Sequence, residues 1–204
     1  MIFAGLDLSG YKNIKKTVLT FLEDKNVENF KGVNDEEIIN LILSKNDVIL
    51  SIDAPLSFPK KDFLRYSDKK LKKFLDKINL SFLKKFVLPP LLPEMQILTK
   101  RGIKIKNRLK RIRVIETHPT ISIFLILFKN GILIRDFLNY KRDYEVFKKL
   151  CKTLEKILKY EFDFETPDEL DSFICSYISL IFYKNENIIY LSKTKNPFVI
   201  YSPF

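Results

Sequence analysis

Asp47-Val48-Ile49-Leu50-Ser51-Ile52-Asp53-Ala54-Pro55-Leu56-Ser57 is the stretch that decides the fold. From Val48 to Ile52 it is apolar on both faces, the pattern of a strand buried inside a parallel sheet. A carboxylate ends it, and Pro55 and Pro59 stop any continuation. Working outward toward the N-terminus, Ile2 to Leu8 reads as a second buried strand, with Asp7 breaking its apolar run before Gly10. Thr17 to Leu22 reads as another strand and Val27 to Phe30 as a third. Asn34 then caps a helix, with Glu37 completing a capping box and Ile38, Ile39, Leu41 and Ile42 forming its apolar face. Strand, strand, strand, helix, strand is the opening of an α/β domain.

Working outward toward the C-terminus, Leu64 to Phe86 keeps helical spacing among lysines until Pro89, Pro90 and Pro93 interrupt it. A second basic segment runs from Glu94 to about Leu109, a short strand from Arg113 to Glu116, and an apolar helix from Pro119 through Phe128. Tyr144, Phe147, Leu150, Cys151, Leu154, Ile157 and Leu158 share one helical stripe. Thr166, Pro167 and Glu169 form a strong helix start, and that helix runs to about Tyr183. Ile188 to Leu191 and Phe198 to Tyr201 read as final extended pieces. The 204 residues fit one domain, 1–204, carrying residues 60–110 as a basic, mostly helical insertion.

The net charge of +11 is unevenly placed. Lys60 to Arg113 holds 18 Lys+Arg against 4 Asp+Glu, while the rest of the chain holds 18 against 21. A basic quarter on a slightly acidic frame is the electrostatic footprint of a polyanion partner. With 46% apolar residues the chain is not intrinsically disordered, and with 5 Gly and 9 Pro it is neither collagen-like nor a linker. Asp7 interrupts the N-terminal apolar stretch, so no secretory leader is expected. The longest largely apolar run, Ile121 to Phe128 with Ser122 inside it, is far below the roughly 20 residues that cross a bilayer. Cys151 and Cys175 lack metal-ligand spacing and read as buried free thiols, which suits a cytoplasmic protein.

Acidic residues recur at the ends of the most apolar segments: Asp7, Asp53 and Glu116 close strands, and Asp168 and Asp171 open the last helix. Such carboxylates are costly unless paired or bound to a cation. Parallel strands bring their C-terminal ends to one edge, where α/β proteins place their sites. Asp168 and Asp171, three apart, share a helix face. An all-oxygen cluster suits Mg²⁺ or Mn²⁺, and two such ions about 4 Å apart can drive displacement at phosphorus.

Ile52-Asp53-Ala54-Pro55-Leu56-Ser57, Gly5-Leu6-Asp7-Leu8-Ser9-Gly10, Arg65-Tyr66-Ser67-Asp68, Arg101-Gly102, Glu116-Thr117-His118-Pro119 and Asp168-Glu169-Leu170-Asp171-Ser172 occur in order across nearly the whole chain. Together they resemble the family of predicted nucleases with an RNase H-like fold whose hallmark is the Ile-Asp-Ala-Pro-Leu-Ser segment. The last helix is also similar to that of Holliday-junction resolvases. The resemblance implies a mixed sheet flanked by helices. It also implies catalytic Asp7, Asp53, Glu116, Asp168 and Asp171, with Asp7, Asp53, Glu116 and Asp171 holding Mg²⁺ or Mn²⁺. The resolvase likeness adds a possible homodimer.

The expected activity is therefore metal-dependent hydrolysis of nucleic acid, DNA or RNA. The competing expectation is a nucleic-acid-binding protein that keeps the fold without catalysis. Arg65, Arg101, Lys104, Arg108 and Arg111 are the expected phosphate-binding residues. His118, the only histidine, has no nucleophile motif nearby and reads as structural. An actin-like ATPase is disfavoured, because the five glycines are not clustered into phosphate loops.

Overall fold

The structure, a computed structural model, describes residues 1–161 and 163–204. Five strands form one mixed sheet: β1 (Ile2–Asp7), β2 (Val18–Glu23), β3 (Asn26–Lys31), β4 (Val48–Asp53) and β5 (Arg113–Glu116), in the order β3-β2-β1-β4-β5. β1 to β3 form an antiparallel meander, and β4 and β5 lie parallel to β1. The C-terminal ends of β1, β4 and β5 therefore share an edge, as the apolar strand pattern predicted.

Alternation along the strands divides the core in two. Ala4, Leu6, Leu50, Ile52 and Val114 pack on one face beneath α1 (Asp35–Leu43) and the C-terminal half of α3 (Pro93–Arg108). Phe3, Ile49 and Ile115 face the other side, against α2 (Tyr66–Lys77), α4 (Pro119–Lys129), α5 (Tyr144–Leu158) and α6 (Pro167–Lys184). Residues 60–110 thus feed both cores, through Leu71, Leu75 and Leu83 on one side and Ile105 and Leu109 on the other. The continuous helical spacing expected up to Phe86 is broken: α2 stops at Lys77, and Asn79 turns the chain with φ near 60°. A helical end followed by a left-handed Asn is a favourable stop.

α6 lies directly on β1. Ser172, Ser176 and Ser179 are buried at that contact, and Gly5 is the strand residue beneath them. Ser172 Oγ sits 3.0 Å from the Gly5 carbonyl oxygen and 2.9 Å from that of Val18, and Ser179 Oγ donates to Ala4 O at 2.9 Å. The capping box at Thr166 and Glu169 starts α6 as expected. Lys31 at the end of β3 joins Glu169 at 2.9 Å and Glu165 at 2.7 Å, fixing the start of the helix over the carboxylate edge. The final extended pieces, β6 (Ile188–Tyr190) and β7 (Val199–Tyr201), pair with each other instead of extending the main sheet, joined to it by one bridge from Phe198 to Glu116.

A carboxylate cluster at the strand ends

Asp7 and Asp53 end adjacent parallel strands and are register partners, which sets their backbones about 4.8 Å apart. Both belong to the odd-numbered set that faces α6. Asp168, Asp171 and Cys175 lie on the α6 face above them, following helical spacing. Asp7, Asp53 and Asp168 line a pocket of about 370 Å³, whose walls also include Ser9, Glu116, His118, Thr120 and Lys141, while Asp171 is buried beside Lys141. Met95, Leu98 and the Lys85–Leu88 segment close it from the basic quarter, so that quarter does overhang the acidic edge.

Asp7 and Asp53 are half-buried, and no hydrogen bond or ion pair reaches either carboxylate among the described residues. Burial, reinforced by Asp171 and by each other's neighbourhood of acids, raises the Asp7 carboxyl well above its ordinary value. Burial likewise pushes Asp53 up to about 7, against the opposing pull of Lys141. Asp168 is raised too, by burial first and by Asp171 second. Asp171 is fully buried: it accepts a hydrogen bond from Tyr140 Oη at 2.7 Å and pairs with Lys141 Nζ at 2.5 Å. Burial works against the Lys141 charge, but Asp171, Tyr140, Asp7 and Asp53 outweigh it and hold the ammonium protonated. Lys141 is thus the cation of the cluster in this structure. Among the described residues, no three acidic, His or Cys side chains stand as a ready-made ion cage. The donor set itself, unpaired carboxylate oxygens, is nonetheless the chemistry of Mg²⁺ or Mn²⁺.

Glu116 lines the same pocket and its charge helps raise Asp53, but its side chain is held differently from the other acids. β5 pairs Ile52 with Glu116, so Glu116 takes the Ile52 side of the sheet, opposite Asp53. There it accepts a bidentate pair from Arg65 at 2.6 and 2.7 Å and a bond from Leu56 N at 2.8 Å. Arg65 also grips Asp68, at 2.6 and 3.0 Å. A buried carboxylate so fully satisfied is a clamp and not a metal ligand, which corrects its expected role.

Of the expected phosphate-binding residues, Arg65 and Arg101 are taken up inside the fold, which corrects their expected role, while Lys104, Arg108 and Arg111 are exposed. Arg65 is buried in that clamp. Arg101 is fully buried, donating to Asp35 at 2.6 Å, to Ser9 O at 2.6 Å and to Thr17 Oγ1 at 2.8 Å. It fastens the loop after Asp7 to the starts of β2 and α1. Burial opposes the Asp35 charge, but Arg101 overrides it and holds that carboxyl below its ordinary value. Lys104 also pairs with Asp35, and Arg108 pairs with Glu36. Arg111 is exposed but precedes β5, whose first residue lies beside Ile49, four residues back from the acidic edge. His118 packs in the wall with Nε2 3.0 Å from Phe86 O, and burial lowers its pKa. Its Nδ1 is buried without a hydrogen-bond partner among the described residues.

Lys141 and Tyr140 were not singled out from the sequence. Nothing local marks them: Lys141 is one lysine among many, and its importance comes only from a contact 30 residues away. No protein-family model, no curated protein and no solved structure matches the chain.

Proposed function

We propose that the chain is a Mg²⁺- or Mn²⁺-dependent phosphodiesterase of RNase H-like architecture acting on nucleic acid. The observation that carries this reading is the pair of unpartnered carboxylates, Asp7 and Asp53, held in register on adjacent parallel strands within a pocket. The mixed sheet with helices on both faces supports the architecture. Asp7, Asp53 and Asp171 are the residues that would hold the metal. When bound, the cation supplies the positive charge that lets a phosphate approach acidic residues and the Lewis acidity for in-line attack at phosphorus. Asp168, which lines the pocket, would take the proton of the attacking water. The Arg65 clamp fixes Asp68, Glu116 and the 54–57 segment, so the pocket wall is rigid where the substrate must be oriented. Lys141, paired with Asp171 in this structure, would be released toward a phosphate if a metal neutralised the carboxylates.

A second reading is favoured by the Lys141–Asp171 ion pair at 2.5 Å. With its own ammonium in the cluster, the fold would bind nucleic acid without cleaving it. Incubation with labelled single-stranded, duplex and branched substrates separates the two. Cleavage in Mn²⁺ that Asp53→Asn abolishes is the expected result. Substrates left as intact by the wild type as by Asp53→Asn, with no Mn²⁺-induced rise in thermal stability, would move the conclusion to the second reading.

A further inference from the structure

A second cavity, of about 680 Å³, adjoins the carboxylate pocket. The two share Arg65 and Glu116, so the buried clamp is the partition between them. Lys60, Lys61, Lys106 and Lys195 line the second cavity, and Lys106, Lys195 and Asn196 continue into a third hollow that adds Lys110. A concave path thus leads from the acidic centre across the clamp and along a lysine-lined floor.

The charge on this path is available. Lys60, Lys61, Lys110 and Lys195 are exposed, and no hydrogen bond or ion pair engages them among the described residues. Lys106 is half-buried, donating to Leu56 O at 2.9 Å. The two carboxylates in the second cavity are both neutralised, Glu116 by Arg65 and Asp62 by Lys69. The contrast is with Arg101, Lys104 and Arg108, whose charges are already spent on Asp35 and Glu36. Aromatic surface accompanies the lysines: Tyr66, which lines the cavity, is 79% exposed, and Phe58 is half-exposed beside it.

We propose that this path is a binding track for a single strand of nucleic acid leading to or from the carboxylate pocket. Free lysines follow the phosphates, and Tyr66 offers a face on which a base can stack, the combination that sequence-tolerant single-strand binding uses. A single strand can bend into successive hollows and unstack a base there. A duplex keeps its bases stacked inside a stiff rod and would ride over them. The proposal deepens the nuclease reading and rests on it for the direction of the path, but the binding itself does not depend on cleavage.

The test is fluorescence anisotropy in EDTA with short labelled single-stranded DNA and RNA and with duplexes of equal length. Polyglutamate serves as the competitor. The variants are Lys60→Ala/Lys61→Ala/Lys110→Ala/Lys195→Ala combined, Tyr66→Ala, and Lys104→Ala/Arg108→Ala as the paired-charge control. Four phosphate contacts at about 0.7 each make the wild-type salt slope steeper than the fourfold variant's by about 2.8. That corresponds to a roughly 50-fold loss of these contacts' contribution between about 50 and 200 mM salt. The expected results are single strand bound tighter than duplex and the fourfold variant weakened at least tenfold. Tyr66→Ala is weakened by a similar factor on single strands only, and the control pair stays within about twofold of wild type. An unchanged fourfold variant, equal or tighter binding of duplex, no binding by the wild type, or displacement by polyglutamate at equal charge overturns the track. Reading in EDTA keeps its failure distinct from that of the nuclease: a protein that binds but does not cleave retains the track. Mn²⁺-dependent cleavage by the fourfold variant would retain the catalytic centre without it.

Discussion

Gly5→Ala tests whether the cluster depends on the close seat of α6 against β1. A methyl group built at Gly5 would stand 2.1 Å from Ser172 O and 2.2 Å from Ser176 N. Both are backbone atoms of a helix interior, so no side-chain rotation relieves the overlap. Ordinary carbon–oxygen contact begins near 3.3 Å, so β1 and α6 must separate by about 1.2 Å. These two elements carry Asp7 and Asp171. Overpacking of a tight contact costs about 1–3 kcal/mol, and a clash against fixed backbone belongs at the upper end, about 3 kcal/mol. For a chain of this size that lowers Tm by about 6–12 °C. The assay is thermal unfolding followed by circular dichroism, with and without Mn²⁺, and the Mn²⁺-induced stabilisation should shrink as the ligands move apart. A Gly5→Ala protein melting within about 2 °C of wild type, with an undiminished Mn²⁺ response, would refute the close seat as the basis of the site.

Arg101→Ala takes from buried Asp35 its closest partner, leaving only Lys104 at 3.4 Å and Tyr11 at 3.2 Å, and is expected to destabilise the fold by about 3 kcal/mol, read by urea unfolding; a variant of wild-type stability with weakened nucleic-acid binding would restore the phosphate role that burial denies it. Asp53 titrates near 7 in the folded chain and near its ordinary 3.8 when unfolded. Folding therefore holds an extra proton between about pH 4 and 7, and stability declines as pH rises through that window. Asp53→Asn should gain on wild type across the same window and keep a constant lead above it, and a pH-independent difference would contradict this. Lys141→Met removes the cation paired with Asp171. In EDTA it should lower Tm by about 2–4 °C, the half-exposed lysine being worth about 1 kcal/mol, and Mn²⁺ should stabilise it more than wild type; an equal Mn²⁺ shift in the two proteins counts against Lys141 occupying the metal's place.

The strands and helices were legible because each carries its signal locally. Val48–Ile52 is apolar on both faces, Asn34 and Thr166 are capping residues with glutamate partners three positions on, and Pro119 and Pro167 open helices. Asp7 and Asp53 were legible as a pair because both end apolar strands that turned out parallel. Glu116 looked identical on the same grounds. What separates it is register: one residue of offset between β4 and β5 sends its side chain to the opposite face, and a period of two makes that offset decisive. The sequence of β5, four residues long, contains no information about that offset. The small residues of α6 were visible as letters, but their meaning required knowing that Gly5 lies beneath them.

The basic quarter illustrates the same limit for charge. Counting along the chain treats each lysine and arginine as available unless an acid is near in sequence. Arg101, Lys104 and Arg108 find their acids on α1, outside the quarter, at separations of 66 to 72 residues. Arg65 finds Glu116 across 51 residues. These are the arginines and lysine that sit in motifs or regular spacing, and each of them meets an acid that is distant in sequence. Exposed lysines in the 60–61 turn, at 110 and at 195 have no such regularity, and no acid engages them among the described residues. Motif-bearing cations therefore mark how the pocket is built, and the unremarkable ones, free of partners among the described residues and sharing a groove, are those the proposed track would use to attract phosphate.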